Sequence, residues 1–305
     1  MKLAVGACWP RQDLLQNKTI CWPAIKFNLN IKFDSHPTRD TPLMKTPWLP
    51  IFAALLSVTV VHAQSADLMT KTENTLGVTL THYKYDEPSY MSLTAALAGF
   101  ELSRTQSLGA NWPNTNQSWF VRGDLRVALG KADYQSAQSG TLNDTPNWYV
   151  EARALVGKDF DLGNYVLAPY VGLGFRYLHN DLRTSDARQG YRRDSSYLAL
   201  PIGLTHKMQL SNASQLLTTL EYLPLIKGVQ QARLSDENPA RQNVRLDQPK
   251  GYGLRLGAMM RFDNWSVGPT LSYWNVAQSE VGGVPPVYEP KNTTYELGLK
   301  LMKHF

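Results

Sequence analysis

TTYELGLKLMKHF, residues Thr293 to Phe305, is the stretch on which the reading of this chain turns. Tyr295, Leu297, Leu299, Leu301 and Phe305 share one parity, and Thr294, Glu296, Lys300 and His304 share the other. Successive side chains of a strand point to opposite faces, so the segment predicts a strand with one apolar and one charged face. Lys303 breaks the pattern, standing on the apolar parity.

The same alternation recurs upstream. Strands are predicted at roughly 75–86, 90–105, 117–131, 147–158, 165–179, 194–209, 214–228, 250–262, 265–278 and 293–305. In the third, Trp119, Val121, Leu125, Val127 and Leu129 take one face and Arg122, Asp124 and Arg126 the other. In the fourth, Trp148, Val150, Ala152, Ala154 and Val156 oppose Glu151 and Arg153; in the eighth, Tyr252, Leu254, Leu256, Ala258, Met260 and Phe262 oppose Arg255 and Arg261. Connections alternate in length. Asp263-Asn264, Leu210 to Ala213 and Asp159 to Asn164 are short, while 132–146, 180–193, 229–249 and 279–292 are long and polar. The 106–116 connection is longer than its place in this alternation requires, which leaves eight or twelve strands as alternatives to ten. The Asp263-Asn264 turn predicts that Phe262 opposes Trp265, Leu254 opposes Tyr273 and Met259 opposes Gly268. In the third and fourth strands, setting Arg126 opposite Glu151 puts Asp124 opposite Arg153, Phe120 over Gly157 and Leu129 against Trp148.

A second signal lies near the amino-terminus. Met44-Lys45-Thr46 is a short basic start, Trp48 to Val61 an apolar run, and Val61-His62-Ala63 a small-residue cleavage site before Gln64. This is the order of a secretory signal peptide, and the run is shorter than the roughly 20 residues of a membrane-spanning helix. The expected organisation is therefore an extension over 1–43 from start-site choice, a leader over 44–63 cleaved between Ala63 and Gln64, and one domain over 64–305. Cys8 and Cys21, the chain's two cysteines, both fall in the extension, so no disulfide or cysteine-ligated metal is expected in the domain. The formal charge of +6 changes meaning after processing. Seven Lys/Arg and three Asp/Glu precede Gln64, leaving 24 against 22 and no basic domain to read as nucleic-acid binding.

Taken together, Thr75 to Phe305 resembles the broad family of small Gram-negative outer-membrane β-barrel proteins. The closing strand is similar to that family's insertion signal: a terminal Phe305, alternating Leu297, Leu299 and Leu301, Gly298 seven residues back and Tyr295 ten back. The resemblance implies a closed antiparallel transmembrane barrel, porin-like in class. It also implies outer-membrane lipids, lipopolysaccharide, periplasmic chaperones and the barrel assembly machinery as partners. Two aromatic belts are expected, Trp119, Tyr165, Phe262, Trp265 and Phe305 at the periplasmic rim and Tyr83, Trp148, Tyr177, Tyr252, Tyr273 and Tyr295 at the outer one.

The chemistry such a barrel could carry lies on its charged parity. The expected lumen-lining charges are Arg122, Asp124, Arg126, Glu151, Arg153, Arg176, Lys207, Glu221, Arg255, Arg261, Glu296 and Lys300. Eight basic positions against four acidic ones suggest an anion bias if the lumen conducts. A narrow barrel filled by paired side chains is the favoured alternative, a structural or surface-interaction protein. An enzyme is the rival class. The ten-stranded outer-membrane proteases place an acidic pair and a His-Asp dyad at the barrel mouth, for which Asp86-Glu87 and His179-x-Asp181 are the nearest counterparts. Their order and parity fit poorly, and no Ser-His spacing points to lipid modification, so neither a catalytic group nor a cofactor is expected. Arg183, Arg188, Arg192, Arg193, Arg233, Arg241 and Arg245 in the outer loops are interleaved with acids and read as mixed-charge surface.

Overall fold

The computed structural model describes residues 68–108, 117–183, 190–211, 213–284 and 286–305. The expected extension, leader and cleavage point lie outside them. Twelve β-segments follow one another: β1 (Glu73–Glu87), β2 (Met91–Ser107), β3 (Gln117–Ser136), β4 (Gly140–Asp161), β5 (Tyr165–Asp181), β6 (Arg192–Ala199), β7 (Ile202–Ser211), β8 (Ser214–Ala232), β9 (Val244–Gln248), β10 (Gly251–Phe262), β11 (Trp265–Val276) and β12 (Asn292–His304). Two of these divisions are interruptions within one stave. Leu200-Pro201 separates β6 from β7, and both pair with β5 on one side and β8 on the other. Pro249-Lys250 separates β9 from β10, which both pair with β8. Proline donates no N–H to a ladder, so a break forms at each. The sheet is therefore a ring of ten antiparallel staves, closed by β1 on β12 from Thr75↔His304 to Asp86↔Thr293. A barrel abolishes the free edges an open sheet would present.

The predicted registers are the observed ones. Phe262 opposes Trp265 and Leu254 opposes Tyr273 across a turn in which Asp263 takes φ 54°. Between β3 and β4, Arg126 opposes Glu151, Asp124 opposes Arg153, Phe120 opposes Gly157 and Leu129 opposes Trp148. Two of the long loops are shorter than expected. The 132–146 segment is mostly strand, since β3 runs to Ser136 and β4 starts at Gly140. Within 229–249, β8 continues to Ala232, and β9 pairs back onto it. β3 and β4 are 20 and 22 residues long, whereas crossing a bilayer takes about 9–11. The surplus stands beyond the membrane.

A change of parity marks where the membrane ends. Lower in β1, Leu76, Val78 and Leu80 face outward and are exposed; higher up, Tyr83 and Tyr85 face inward and His82 and Lys84 face out. In β2, Phe100 and Leu102 face out, whereas Leu93 and Leu97 are buried inside. β3 and β5 repeat this, with Leu129 and Phe175 outward, then Ala132 and Leu178 inward. Below the switch the apolar face meets lipid. Above it the wall meets water, and its inner face closes on an apolar core of Tyr83, Tyr85, Met91, Leu93, Leu97, Ala128, Ala132, Tyr149 and Leu178.

This corrects one aromatic assignment: Tyr83 is fully buried inside the barrel and takes no part in the outer belt. The belt itself is present on the other side of the seam. Tyr222, Tyr252, Tyr273 and Tyr295 touch in series around the outer wall, with ring centroids 6.0, 6.1 and 4.9 Å apart. Trp148 and Tyr177 make a similar contact at 5.4 Å. At the opposite rim Trp119, Phe262, Trp265 and Phe305 are exposed. Lys303, the residue that broke the closing strand's pattern, lays its ammonium 4.8 Å from the Trp265 ring centroid. An amine on a flexible stem can reach the headgroups while its stem stays in apolar surroundings.

A layered lumen as the candidate functional site

Inward positions of the lower staves carry charge, and they fill the lumen in layers. At the mouth on the side of the short turns Arg261 forks onto Glu73 at 2.9 and 3.2 Å, and Lys207 donates to Asp159 at 2.9 Å. Above lies a vestibule of about 850 Å³. One wall is charged, by Arg122, Glu101 and Lys300, the last two bonded at 2.5 Å. The other is hydroxyl and apolar, by Thr205, Thr219, Leu217 and Met259. Two glycines admit aromatic rings to this lower wall. A Cβ on Gly157 would stand 2.3 Å from Phe120 Cζ, and one on Gly203 would stand 2.2 Å from Tyr170 Cζ.

The vestibule ends at a single alternating chain of ions. Arg122 meets Asp124 at 2.6 Å, Asp124 meets Arg153 at 2.7 Å, and Arg153 meets Glu221 at 3.0 Å. Glu221 also meets Arg255 at 3.4 Å, and Arg255 meets Glu151 at 2.5 Å. Glu151 meets Arg176 at 3.5 Å, Arg176 meets Glu296 at 2.5 Å, and Glu296 meets Arg126 at 3.5 Å. Its members come from β3, β4, β5, β8, β10 and β12, so the chain ties the staves across the lumen. Ions taken out of water must be compensated, and here every member between the end residues Arg122 and Arg126 sits between opposite charges. Arg126, directly opposite Glu151 in register, takes Glu296 as its ionic partner and lies 5.2 Å from the Tyr149 ring.

Aromatic side chains lie above the ions. Tyr149 donates to Glu296 at 3.0 Å, with Arg176 4.2 Å from its ring centroid. Tyr197 stacks on Trp274 at 6.0 Å, beside buried Leu223 and Ala199. Over these comes the apolar core, and over that a polar clasp. Arg193, reaching in from β6, binds both Glu87 at the top of β1 and Glu289 in the loop before β12, and the Tyr85 hydroxyl lies 2.8 and 3.0 Å from the same two carboxylates, with one proton to share between them. Burial, with Glu87 alongside, pushes the Glu289 carboxyl up to about 7 against the pull of Arg193.

The twelve charges named from sequence all lie on the inward face. Arg122, Asp124, Arg126, Glu151, Arg153, Arg176, Glu221, Arg255 and Glu296 form the ion chain; Lys207, Arg261 and Lys300 bond elsewhere in the lower lumen. Three inward acids were missed: Glu73, Glu101 and Asp159. Glu101 sits where β2 changes parity, and Asp159 was assigned to a turn that is still strand. Counted with the twelve, they reduce the basic excess of the lower lumen from four charges to one. The closing-strand residues Tyr295, Leu297, Leu299, Leu301 and Phe305 face outward, while Gly298 faces in, where a Cβ would come within 2.9 Å of Thr270 Oγ1.

The protease-like pairing is not assembled. His179 faces outward, bonds Asp194 at 2.6 Å and stacks on Trp148, while Asp181 is taken by Arg183 and Glu87 points inward to Arg193. The outer-loop arginines meet acids: Arg192 with Asp236 at 2.7 Å, Arg233 with Asp194 at 2.7 Å and Arg241 with Glu237 at 2.5 Å. Arg188 lies outside the described residues. One Ser-His contact went unpredicted. Ser266 Oγ is 2.9 Å from His304 Nε2, whose Nδ1 is 3.3 Å from Glu73. The connectivity is that of a nucleophile, base and carboxylate, but Ser266 is 4% exposed and Glu73 is already held by Arg261. Its three residues lie on the adjoining staves β11, β12 and β1, where inward groups of a ladder meet as a matter of course.

Fold and interior together define an integral β-barrel membrane protein. No protein-family model and no curated protein sequence matches the chain. Among solved structures it is similar to the translocator domain of autotransporter NalP from Neisseria meningitidis, with 8% identity and a TM-score of 0.41 over 79% of this chain and 92% of that one. It is also similar to an outer membrane channel from Pseudomonas putida F1, with 10% identity and a TM-score of 0.36 over 78% and 97%. A third is the P. putida toluene transporter TodX, with 12% identity and a TM-score of 0.30 over 80% and 93%.

Proposed function

We propose that the chain is an outer-membrane barrel, delivered by a cleaved leader, whose lumen is closed: a scaffold or surface-interaction protein with a vestibule open toward the periplasm. The observation that carries this reading is the stacking of the ion chain beneath Tyr149, Tyr197 and Trp274, which together span the staves. An ion entering from below would have to part charges already paired and then cross an apolar core. Lipids and lipopolysaccharide would surround the wall, and periplasmic chaperones and the assembly machinery would deliver it. The anion-channel reading loses most of its support once Glu73, Glu101 and Asp159 are counted among the wall charges. Planar-bilayer recording of folded protein under a salt gradient tests the proposal. Silence is expected; a steady current, of either selectivity, overturns it.

A further inference from the structure

The segment before β1 turns into the barrel. Thr72 Oγ1 accepts from the backbone N–H of Ser107, at the end of β2, at 3.0 Å. Two residues earlier, the backbone N–H of Thr70 donates to Asp159 Oδ2 at 2.5 Å and its hydroxyl donates to Asp159 Oδ1 at 3.0 Å. Lys207 Nζ bonds both Asp159, at 2.9 Å, and Thr70 Oγ1, at 2.5 Å. Leu68 is 3% exposed and lines the vestibule. Position around the ring gives these contacts their meaning. The β6/β7 stave stands opposite β1, five staves away in either direction. A hydroxyl only three residues from Glu73 thus touches a side chain from the far wall, while the same residue's backbone N–H reaches Asp159 on β4, three staves away. The segment lies across the mouth and not along its rim.

Asp159 is fully buried, and its two oxygens receive a backbone N–H, a hydroxyl and an ammonium. A carboxylate so placed recognises an extended peptide by its main chain and one hydroxyl. We propose that the Asp159–Lys207 pair is a peptide clamp, and that its ligand is this chain's own Leu68–Thr72 segment, which acts as a strap gating the vestibule from the periplasmic side. Clamped, Leu68 closes on the lower wall. Released, the strap leaves the vestibule open to periplasmic solutes. The proposal does not depend on whether the barrel conducts.

The test uses the processed, folded chain, with Cys8 and Cys21 replaced by serine in any precursor. A cysteine is placed in the vestibule at Thr219 and labelled with a water-soluble maleimide. Thr70→Pro removes both the N–H and the hydroxyl without touching a stave. It should speed labelling about tenfold, the scale on which a lost charge-assisted bond shifts a local opening equilibrium. The double variant Asp159→Asn/Lys207→Met, which strands no charge, should do the same, and heat-modifiable gel mobility confirms that each is folded. Labelling rates equal to the parent's in both folded variants overturn the strap.

Discussion

Arg153 Nη1 lies 3.0 Å from both carboxylate oxygens of Glu221, although the two residues stand on β4 and β8, three staves apart around the wall. Arg153 also holds Asp124, and Glu221 also holds Arg255. Removing either partner therefore leaves more than one buried charge short of one of its partners. Glu221→Ala should destabilise the barrel by about 3–5 kcal/mol, the range for breaking a buried pair from one side. Arg153→Met/Glu221→Met should recover much of that loss. Urea titration of gel mobility reads both, and a double variant no better than the single one would count against the ion chain as a compensated unit.

Assembly should depend on the outward parity of β12. Leu299 is 54% exposed to the lipid side, and a charge there costs up to roughly 2–4 kcal/mol at midplane, less for an acid. Leu299→Asp and deletion of Phe305 should each reduce the heat-modifiable fraction. Lys300→Gln alone is a poor control, because it leaves Glu101 buried without its ammonium. Lys300→Gln/Glu101→Gln is the neutral reference, and equal assembly of Leu299→Asp and this pair would refute the prediction.

The clasp over the outer core should respond to pH. Glu289 is raised from 4.5 to about 7 when the 277–291 loop is seated. Between those values the seated loop holds a proton that the released loop gives up, so acid favours seating and raising the pH through 7 weakens it. Arg193, Glu87 and Tyr85 face this carboxyl. Hydrogen-exchange protection across residues 277–284 and 286–291, corrected for the intrinsic pH dependence of amide exchange, should be greater at pH 5.5 than at pH 8, and Glu289→Gln should remove most of the difference. An unchanged pH dependence in that variant would assign it elsewhere.

Ser266, His304 and Glu73 are expected to be structural. The strand N–H groups beside Ser266 are engaged in ladders with β10 and β12, which leaves no pair to stabilise an oxyanion. A fluorophosphonate probe should leave the folded protein unlabelled. Labelling that disappears in Ser266→Ala would establish a reactive serine.

Much of the lower barrel was legible because its alternation is local. The Asp263-Asn264 turn set the β10–β11 register, and the Arg-x-Asp-x-Arg run of β3 fitted the Glu-x-Arg of β4 at one register only. Position misled where parity would not have: Tyr83 read as a belt aromatic because it stands near the end of its strand, although its parity is opposite to that of the lipid-facing Leu76, Val78 and Leu80. Partnership beyond neighbouring staves was also hidden: nothing in the sequence joins Arg153 to Glu221 or Thr70 to Lys207, since those contacts depend on closure of the ring.

The reversal of parity gives the wall a waterline. Below it a side chain's outward neighbour is oil, and above it water. The protein's depth in the bilayer is therefore written into every stave that crosses the line, and is not left to the aromatic rings alone. Sliding outward would bring Leu97 and Leu93 no relief while drawing Phe100 and Leu102 into water; sinking would press His82 and Lys84 into lipid. Residues can be added to or removed from the part above the line only in pairs, because a single insertion would turn its core inside out. In that sense the barrel carries a draught mark, and its exposed part can change height in steps of two without altering how deep the hull sits.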